Sequence, residues 1–286
     1  MTMLAALLLA GAALPASACT DDSAWTAPGE PFLIYGNTWY VGGCGLSSVL
    51  VTSPRGHILI DGTMAENAPL ILANIRKAGF DPRDVKVILF GHAHFDHVGG
   101  VAALQAATGA RVLGRAADIR ALRVGHGLAD DPQGASAAHY PPVPKAEAID
   151  DKAVVRVGAL ALTALPNSGH TPGSTSWRWQ SCEGAKCLNL VYADSLSALS
   201  APGWRYLDHP AALAQFRASI ARLGQQPCDL LITPHPSVSA MWTRFGPTAT
   251  RPRAVPGQCR ALAGEAAQGL ETRLQEERAG KWGAAK

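Results

Sequence analysis

The chain has 286 residues, of which 48% are hydrophobic and 16% charged, and its formal net charge is +3 at pH 7. An apolar content this high can fill a sizeable core, which excludes a disordered chain. The 25 basic residues are scattered and form no block that could follow a phosphate backbone, so the sequence indicates no nucleic-acid partner.

The first eighteen residues have the pattern of a secretory signal peptide. An apolar run over residues 4–14 is followed by a proline and by three small residues at 16–18. A membrane span would need roughly twenty apolar residues with anchoring flanks, which this run lacks. We therefore predict export to the periplasm, with residues 19–286 forming a single domain. Cleavage would leave Cys19 at the mature N-terminus, where a lipid anchor is a second interpretation, although Ala16 fits such a signal poorly.

The first half of the domain predicts a strand meander followed by alternating helices and strands. Short apolar runs separated by turns indicate strands at 32–35, 39–41, 48–52 and 58–61. Apolar residues spaced three to four apart indicate a helix that begins near Pro69 and ends at Gly79, and another over 101–108. Two further apolar runs, at 85–90 and 111–113, predict buried strands.

After a stretch rich in Gly, Pro and Asp at 125–144, strands and helices follow in the same order again. Strands are predicted at 154–157, 160–164, 176–179, 188–192 and 230–233. Apolar residues at helical spacing indicate two helices, one through Leu213, Phe216, Ile220 and Leu223 and one through Leu262, Ala266, Leu270 and Leu274. Two β–α halves with sheets packed face to face under outer helices are an α/β fold, a four-layer αβ/βα sandwich.

The segment GHAHFDHVGG, residues 91–100, places three histidines and an aspartate directly after a buried strand. Alternate residues of an extended segment point the same way, so His92 and His94 can share one metal ion. Asp96 and His97, at the following bend, can reach a second. Imidazole and carboxylate hold Zn²⁺ while leaving a position open for water. Four such residues in six positions favour a metal site over a surface histidine cluster.

Two more histidines follow strands in the second half. His170 lies in NSGHTPGST and His235 in LLITPHPS, each in a loop after an apolar strand. Either one alone could be a structural loop residue, but together with the first cluster they predict a dinuclear centre with two Zn²⁺ per chain. Two such ions hold a shared hydroxide in two-metal hydrolases. The remaining histidines are interpreted as surface or packing residues: His57, His126, His139 and His209.

The six cysteines predict disulfides in an exported chain. Six thiols allow fifteen pairings, and the sequence alone does not choose among them. Cys182 and Cys187 bracket a short turn between two strand-like runs, which makes their pairing the easiest to argue. The alternative, a zinc site, lacks a supporting Cys-x-x-Cys pair.

The segment His92-Ala93-His94-Phe95-Asp96-His97 matches the His-x-His-x-Asp-His signature of the metallo-β-lactamase superfamily. The signature is specific only to the superfamily. Further segments, among them YGNTWYVG, LANIR, SCEG, YADSLS and TPHPS, resemble the exported subclass B3 metallo-β-lactamases, and the Adelaide imipenemase group in particular. This likeness extends over nearly the whole mature chain.

The resemblance implies the same sandwich with two zinc ions in a groove at the sheet edges. It assigns His92, His94 and His170 to the first zinc and Asp96, His97 and His235 to the second. Ser195 stands where related enzymes carry a cysteine ligand, and the resemblance assigns Ser195 and Ser197 to the substrate carboxylate. It also implies three disulfides: Cys19–Cys44, Cys182–Cys187 and Cys228–Cys259.

We accordingly predict a monomeric enzyme that hydrolyses the β-lactam amide of penicillins, cephalosporins and carbapenems with a zinc-bound hydroxide, and so confers antibiotic resistance. Asp96 is predicted to be a ligand that orients the hydroxide. Trp39 and Gln133 are predicted to line the groove. Asp61, which ends a strand, either supports a ligand imidazole or merely flanks a helix.

Two alternatives stay open. A thioester or lactone hydrolase of the glyoxalase II kind shares the signature and uses a carboxylate that bridges both metals, a position for which Asp194 is the candidate. The export signal and the Asp-Ser-x-Ser run favour the lactamase. The other alternative is a periplasmic zinc-binding protein without turnover.

Overall fold

The computed structural model describes residues 19–245 and 249–282. The predicted signal peptide at 1–18 lies outside these residues. Within them, no helix has both the length and the apolar character needed to cross a bilayer.

The first sheet contains seven strands in chain order. They are β1 (Phe32–Tyr35), β2 (Thr38–Tyr40), β3 (Val49–Val51), β4 (His57–Ile60), β5 (Val85–Leu89), β6 (Arg111–Arg115) and β7 (Glu147–Ile149). Strands β1 to β4 pair antiparallel, whereas β4 to β7 pair parallel. The carboxyl ends of β4, β5 and β6 therefore lie at one edge of the sheet, where open α/β sheets bind ligands.

The second sheet contains five strands in the order β12-β11-β10-β9-β8. They are β8 (Val154–Val157), β9 (Leu160–Pro166), β10 (Thr175–Glu183), β11 (Lys186–Tyr192) and β12 (Leu230–Ile232). Strands β8 to β11 are antiparallel and β12 is parallel to β11. Strands β9, β11 and β12 consequently run in the same direction, and their carboxyl ends share one edge.

Seven α-helices complete the described chain. They are α1 (Ala68–Lys77), α2 (Phe95–Val98), α3 (Val101–Thr108), α4 (Ala116–Val124), α5 (Pro210–Gly224), α6 (Met241–Arg244) and α7 (Gln258–Arg278). Helices α1, α3 and α4 cover the first sheet and bury Ile71, Leu104 and Leu122 against it. Helices α5 and α7 cover the second sheet with Phe216 and Leu274.

The largest apolar cluster lies between the two sheets and includes the buried rings of Tyr40, Trp177 and Tyr192. Two sheets face to face with helices outside confirm the predicted four-layer αβ/βα sandwich. Three predicted elements have the same bounds in the structure: β1, α3 and β8. Helices α2, α4 and α6 and strand β7 were not predicted.

All six cysteines are paired. The disulfides are Cys19–Cys44, Cys182–Cys187 and Cys228–Cys259, the same pairs that the family resemblance implies. The second closes the β10–β11 hairpin, where the two cysteines are directly opposed. The third links α7 to the segment before β12.

Candidate metal centre

The six predicted ligands follow three strands whose carboxyl ends meet at one edge of the sandwich. The segment 92–97 follows β5, His170 follows β9 and His235 follows β12. Ligand atoms of His92, His94 and His170 lie within 4.8 Å of one another, and so do those of His92, Asp96 and His97. His235 Nε2 lies 3.4 Å from Asp96 Oδ2. The structure thus brings all six side chains together.

The local backbone explains how one short segment serves two groups of ligands. His92 and His94 lie on either side of Ala93, and His94 is still extended at the start of α2. The single turn of α2 then redirects Asp96 and His97. We call His92, His94 and His170 the first group, and Asp96, His97 and His235 the second group.

Hydrogen bonds fix the orientation of four of these imidazoles. His92 Nδ1 lies 2.9 Å from Asp194 Oδ1, His94 Nε2 2.9 Å from Asp131 Oδ2, His97 Nδ1 3.0 Å from Asp61 Oδ2, and His170 Nδ1 3.0 Å from Ser197 O. Each bond occupies one ring nitrogen and leaves the other for the centre. Metal-binding histidines in proteins have partners of this kind.

Asp61 supports a ligand, which decides between the two interpretations of this residue. Its Oδ2 accepts hydrogen bonds from His97 and from the hydroxyl of Tyr192, at 3.0 and 2.5 Å. Its Oδ1 accepts from the backbone N–H of Gly91 at 2.7 Å. Asp61 therefore holds both the start of the histidine segment and one of its imidazoles.

The donor atoms fit a metal ion. His92 Nε2 and His97 Nε2 are buried and have no hydrogen-bond partner among the described residues, although Asp96 Oδ2 lies 3.2 Å from His97 Nε2. An unsatisfied buried polar atom costs about 1–3 kcal/mol, so two of them facing the same space indicate a missing ligand. Five imidazoles and one carboxylate, without a thiolate, are a donor set that zinc accepts.

The two groups differ in their electrostatics. Burial, with the neighbouring imidazoles, lowers the pKa of His92 well below its usual value and that of His170 to about 3. Both are therefore neutral at pH 7, the form that binds metal. Burial alone would lower the pKa of His97, but the carboxylates of Asp96 and Asp61 outweigh it and raise this pKa well above the usual value.

Asp96 is ionised. Burial alone would raise its pKa, but His97 and His235 outweigh this effect and hold the pKa well below the usual value. In the same region, burial raises the pKa of Asp118 to about 6, since its hydrogen bonds only partly offset the loss of hydration.

A groove of about 730 Å³ lies over the two groups and includes His94, Asp96, His170 and His235 in its lining. Apolar side chains supply much of the remaining surface: Trp25, Phe95, Leu196, Leu199, Val238 and Leu262. An apolar cleft with a few convergent polar groups is typical of a small-molecule site.

Three of the four predicted substrate-binding residues line this groove: Gln133, Ser195 and Ser197. Ser197 Oγ and the Ser197 carbonyl oxygen both lie 3.0 Å from His170 Nδ1. Because the hydroxyl oxygen can accept from this N–H, its own proton stays available to a substrate. The amide of Gln133 lies 3.1 Å from His170 Nε2, so a metal bound there would take its place.

Trp39 is the fourth, and its prediction is corrected by the structure. Alternation along β2 buries Thr38 and Tyr40 and turns Trp39 to the helix-covered face, where its ring packs edge-on against Phe80 at 5.5 Å. Trp25 instead lines the groove, with its ring 5.4 Å from that of His235. The sequence offered no periodic signal at Trp25, which precedes the first strand.

The sequence matches the model of the metallo-β-lactamase superfamily over residues 41–183. Among solved structures, the chain is similar to the metallo-β-lactamase SMB-1 bound to 2-mercaptoethanesulfonate, with 45% identity and a TM-score of 0.85, covering 89% of this chain and 100% of that one. It is also similar to MIM-1 from Novosphingobium pentaromativorans, with 44% identity and a TM-score of 0.89, covering 94% and 98%. The subclass B3 enzyme MEM-A1 from a soil metagenome library is 42% identical, with a TM-score of 0.86, over 90% and 100%.

Curated relatives match a shorter region. A hydroxyacylglutathione hydrolase of Anaeromyxobacter dehalogenans is 37% identical over 137 residues, which are 48% of this chain and 43% of that protein. Another, from Jannaschia sp., is 32% identical over 161 residues, 56% and 52% of the two chains. The chain therefore spans about half the length of these relatives.

Proposed function

Because the chain belongs to the metallo-β-lactamase superfamily, with its solved structural neighbours in subclass B3, we propose that it is a zinc-dependent β-lactamase. It opens the β-lactam amide of penicillins, cephalosporins and carbapenems and so confers antibiotic resistance. The observation that carries this proposal is the convergence of six metal-type ligands beneath a largely apolar groove whose lining includes Ser195 and Ser197.

In this proposal the first group holds one zinc ion and the second group holds another. When bound, zinc polarises a carbonyl oxygen and lowers the pKa of a water molecule to about 7, which supplies a nucleophile without a serine or cysteine. The protein's part is to fix the ligands, and the bonds from Asp194, Asp131, Asp61 and Ser197 do so.

The side chains of the groove bind and orient the substrate. The hydroxyls of Ser195 and Ser197 donate hydrogen bonds to the carboxylate that β-lactams carry beside the ring. Asp96, ionised because its pKa is lowered, accepts a hydrogen bond from the attacking water and so orients it. The apolar walls, which include Trp25 and Leu199, exclude bulk water from the amide.

Export to the periplasm is part of the same proposal. Three disulfides support it, since such bonds persist in oxidising compartments and are rare in the cytosol. A monomer acting on small molecules completes the proposal.

A thioester hydrolase is the second candidate because the curated relatives are hydroxyacylglutathione hydrolases. Its bridging carboxylate would have to be Asp194. The Oδ1 atom of Asp194 is instead bonded to Nδ1 of His92, on the side of the ring away from the free Nε2, while Oδ2 has no hydrogen-bond partner among the described residues. The Oδ1 contact is that of a residue that supports a ligand imidazole, and it favours the lactamase.

The decisive experiment assays the zinc-loaded protein with a penicillin, a carbapenem, a glutathione thioester and an acyl lactone, each with and without a chelator. We expect chelator-sensitive opening of the β-lactams. Turnover of the thioester or lactone alone would favour the second candidate. Tight zinc binding without turnover of any of the four would favour a zinc-binding protein.

A further inference from the structure

Asp118 lies near the start of α4, just beyond β6, and is 2% exposed. It is bonded to none of the six ligand side chains. Its Oδ2 accepts hydrogen bonds from the backbone N–H of Ala93 at 3.0 Å and from the hydroxyl of Thr171 at 2.8 Å. Its Oδ1 accepts from the backbone N–H of Gly173 at 2.8 Å.

These three donors belong to the two loops that carry the first group. Ala93 stands between His92 and His94, and Thr171 directly follows His170. The carboxylate of Asp118 is therefore hydrogen-bonded to a residue next in sequence to each ligand of the first group. These bonds connect the two halves of the sandwich. No bond from Asp118 reaches a neighbour of His235.

The contact leaves little room for adjustment. A Cβ at Gly173 would overlap the carboxylate and the backbone nitrogen of Asp118. The hydroxyl of Thr171 also lies 2.8 Å from Ser174 Oγ, so the hydrogen-bond network extends further along the His170 loop. Because all these groups are buried, water cannot replace a lost partner without cost.

We propose that Asp118 is a positioning residue for the first group: it sets the separation between the His92–His94 segment and the His170 loop. The inference rests on the metal-binding part of the proposed function and not on the substrate. Metal–ligand distances tolerate only about ±0.2 Å, so a small shift of one loop weakens the site. Losing an outer partner of a metal ligand typically costs 10–100-fold in metal affinity.

The test measures metal affinity, not turnover. Asp118→Asn keeps the shape of the side chain but replaces an acceptor with a donor. The variant is made in two backgrounds, Asp96→Ala to report the first group and His170→Ala to report the second. Apoprotein is titrated with Co²⁺ by visible absorption and with Zn²⁺ by competition against a chromophoric chelator.

We expect a loss of about 10–100-fold in affinity in the Asp96→Ala background and little change in the His170→Ala background. Thr171→Val, which removes one of the three donors, should show a smaller loss that Thr171→Ser restores, and this pair decides the question if Asp118→Asn does not fold. Asp84→Asn, an exposed carboxylate at the other end of β5, is the matched control and should change nothing.

Equal losses in both backgrounds, or unchanged affinity with a lower melting temperature, would overturn the inference. A wild-type protein that binds two metal ions but opens no β-lactam would overturn the proposed function and leave the role of Asp118 intact.

Discussion

The two ligand groups are built differently, although they share one segment of chain. The first group has three buried imidazoles, each with a hydrogen-bonded partner, and Asp118 ties its two loops together. The second group contains a carboxylate and ends in His235, whose side chain is 25% exposed beside Trp25. We infer that the first group is the more rigid of the two and that His235 is the ligand most open to solvent.

The largest effect should come from removing the carboxylate of the second group. Asp96→Asn should lower kcat by about 10²–10⁴-fold, the range typical of losing one catalytic group, because the second metal and the orientation of water are both weakened. Zinc content and kcat measured on the same sample should fall from two ions to one as activity is lost. A variant with both ions and normal turnover would contradict the assignment of Asp96.

The next largest effect should be a difference between the two groups in how their zinc affinity depends on pH. The pKa of His97 is raised, so His97 must release a proton before it binds metal, and each pH unit below that pKa should weaken the second site about tenfold. His170, with its pKa lowered to about 3, carries no proton to displace between pH 7 and pH 5, and burial lowers the pKa of His92 in the same direction. Zinc affinities from chelator competition at pH 5, 6 and 7 should therefore fall more steeply for the second site. Parallel slopes would remove the distinction.

A smaller effect is expected at the serines, which belong to neither group. Ser195→Ala and Ser197→Ala should each raise KM about tenfold, equivalent to ~1.4 kcal/mol, with little change in kcat. The first group should keep its metal in Ser197→Ala, since the backbone oxygen that accepts from His170 remains. Ser136→Ala, in another loop of the groove, is the control. A fall in kcat with unchanged KM would instead assign the serines to the chemical step.

The smallest effect should distinguish two tryptophans. Trp25→Phe should raise KM about threefold, because its ring covers His235 and lines the groove. Trp39→Phe should leave KM unchanged, since Trp39 contacts Phe80 on the opposite face of the sheet. Steady-state kinetics on both variants test this, and a larger change in KM for Trp39→Phe would restore that residue to the groove.

Local patterns were enough to predict most of the fold. Strands that bury one or both faces, such as β4 and β5, have apolar runs that no other element explains. Helix α4 buries Ile119 and Leu122 at helical spacing, so its sequence held a signal that could have predicted it, whereas β7 has three residues at an edge with none fully buried and no period. The position of β7 depends on pairing with β6, which a single stretch of sequence does not contain.

The residues of the candidate site also fall into those that a local pattern predicts and those that it does not. His92, His94, Asp96 and His97 could be predicted because their spacing is local and follows a buried strand. Asp118, Asp131 and Trp25 could not, since each reaches the centre only through contacts with residues far along the chain.

The Cys19–Cys44 disulfide joins the segment that carries Trp25 to the body of the first half. Beyond that bond, this segment is held by hydrogen bonds that include Asn67 Nδ2 to the Trp25 carbonyl at 3.0 Å and Cys44 N to the Ala27 carbonyl at 2.8 Å. We expect that chain synthesised in a reducing cytosol would bring the same six metal-type ligands together but hold Trp25 less firmly at the groove. Oxidative maturation would then help to determine which small molecules the groove admits, as well as how long the protein survives.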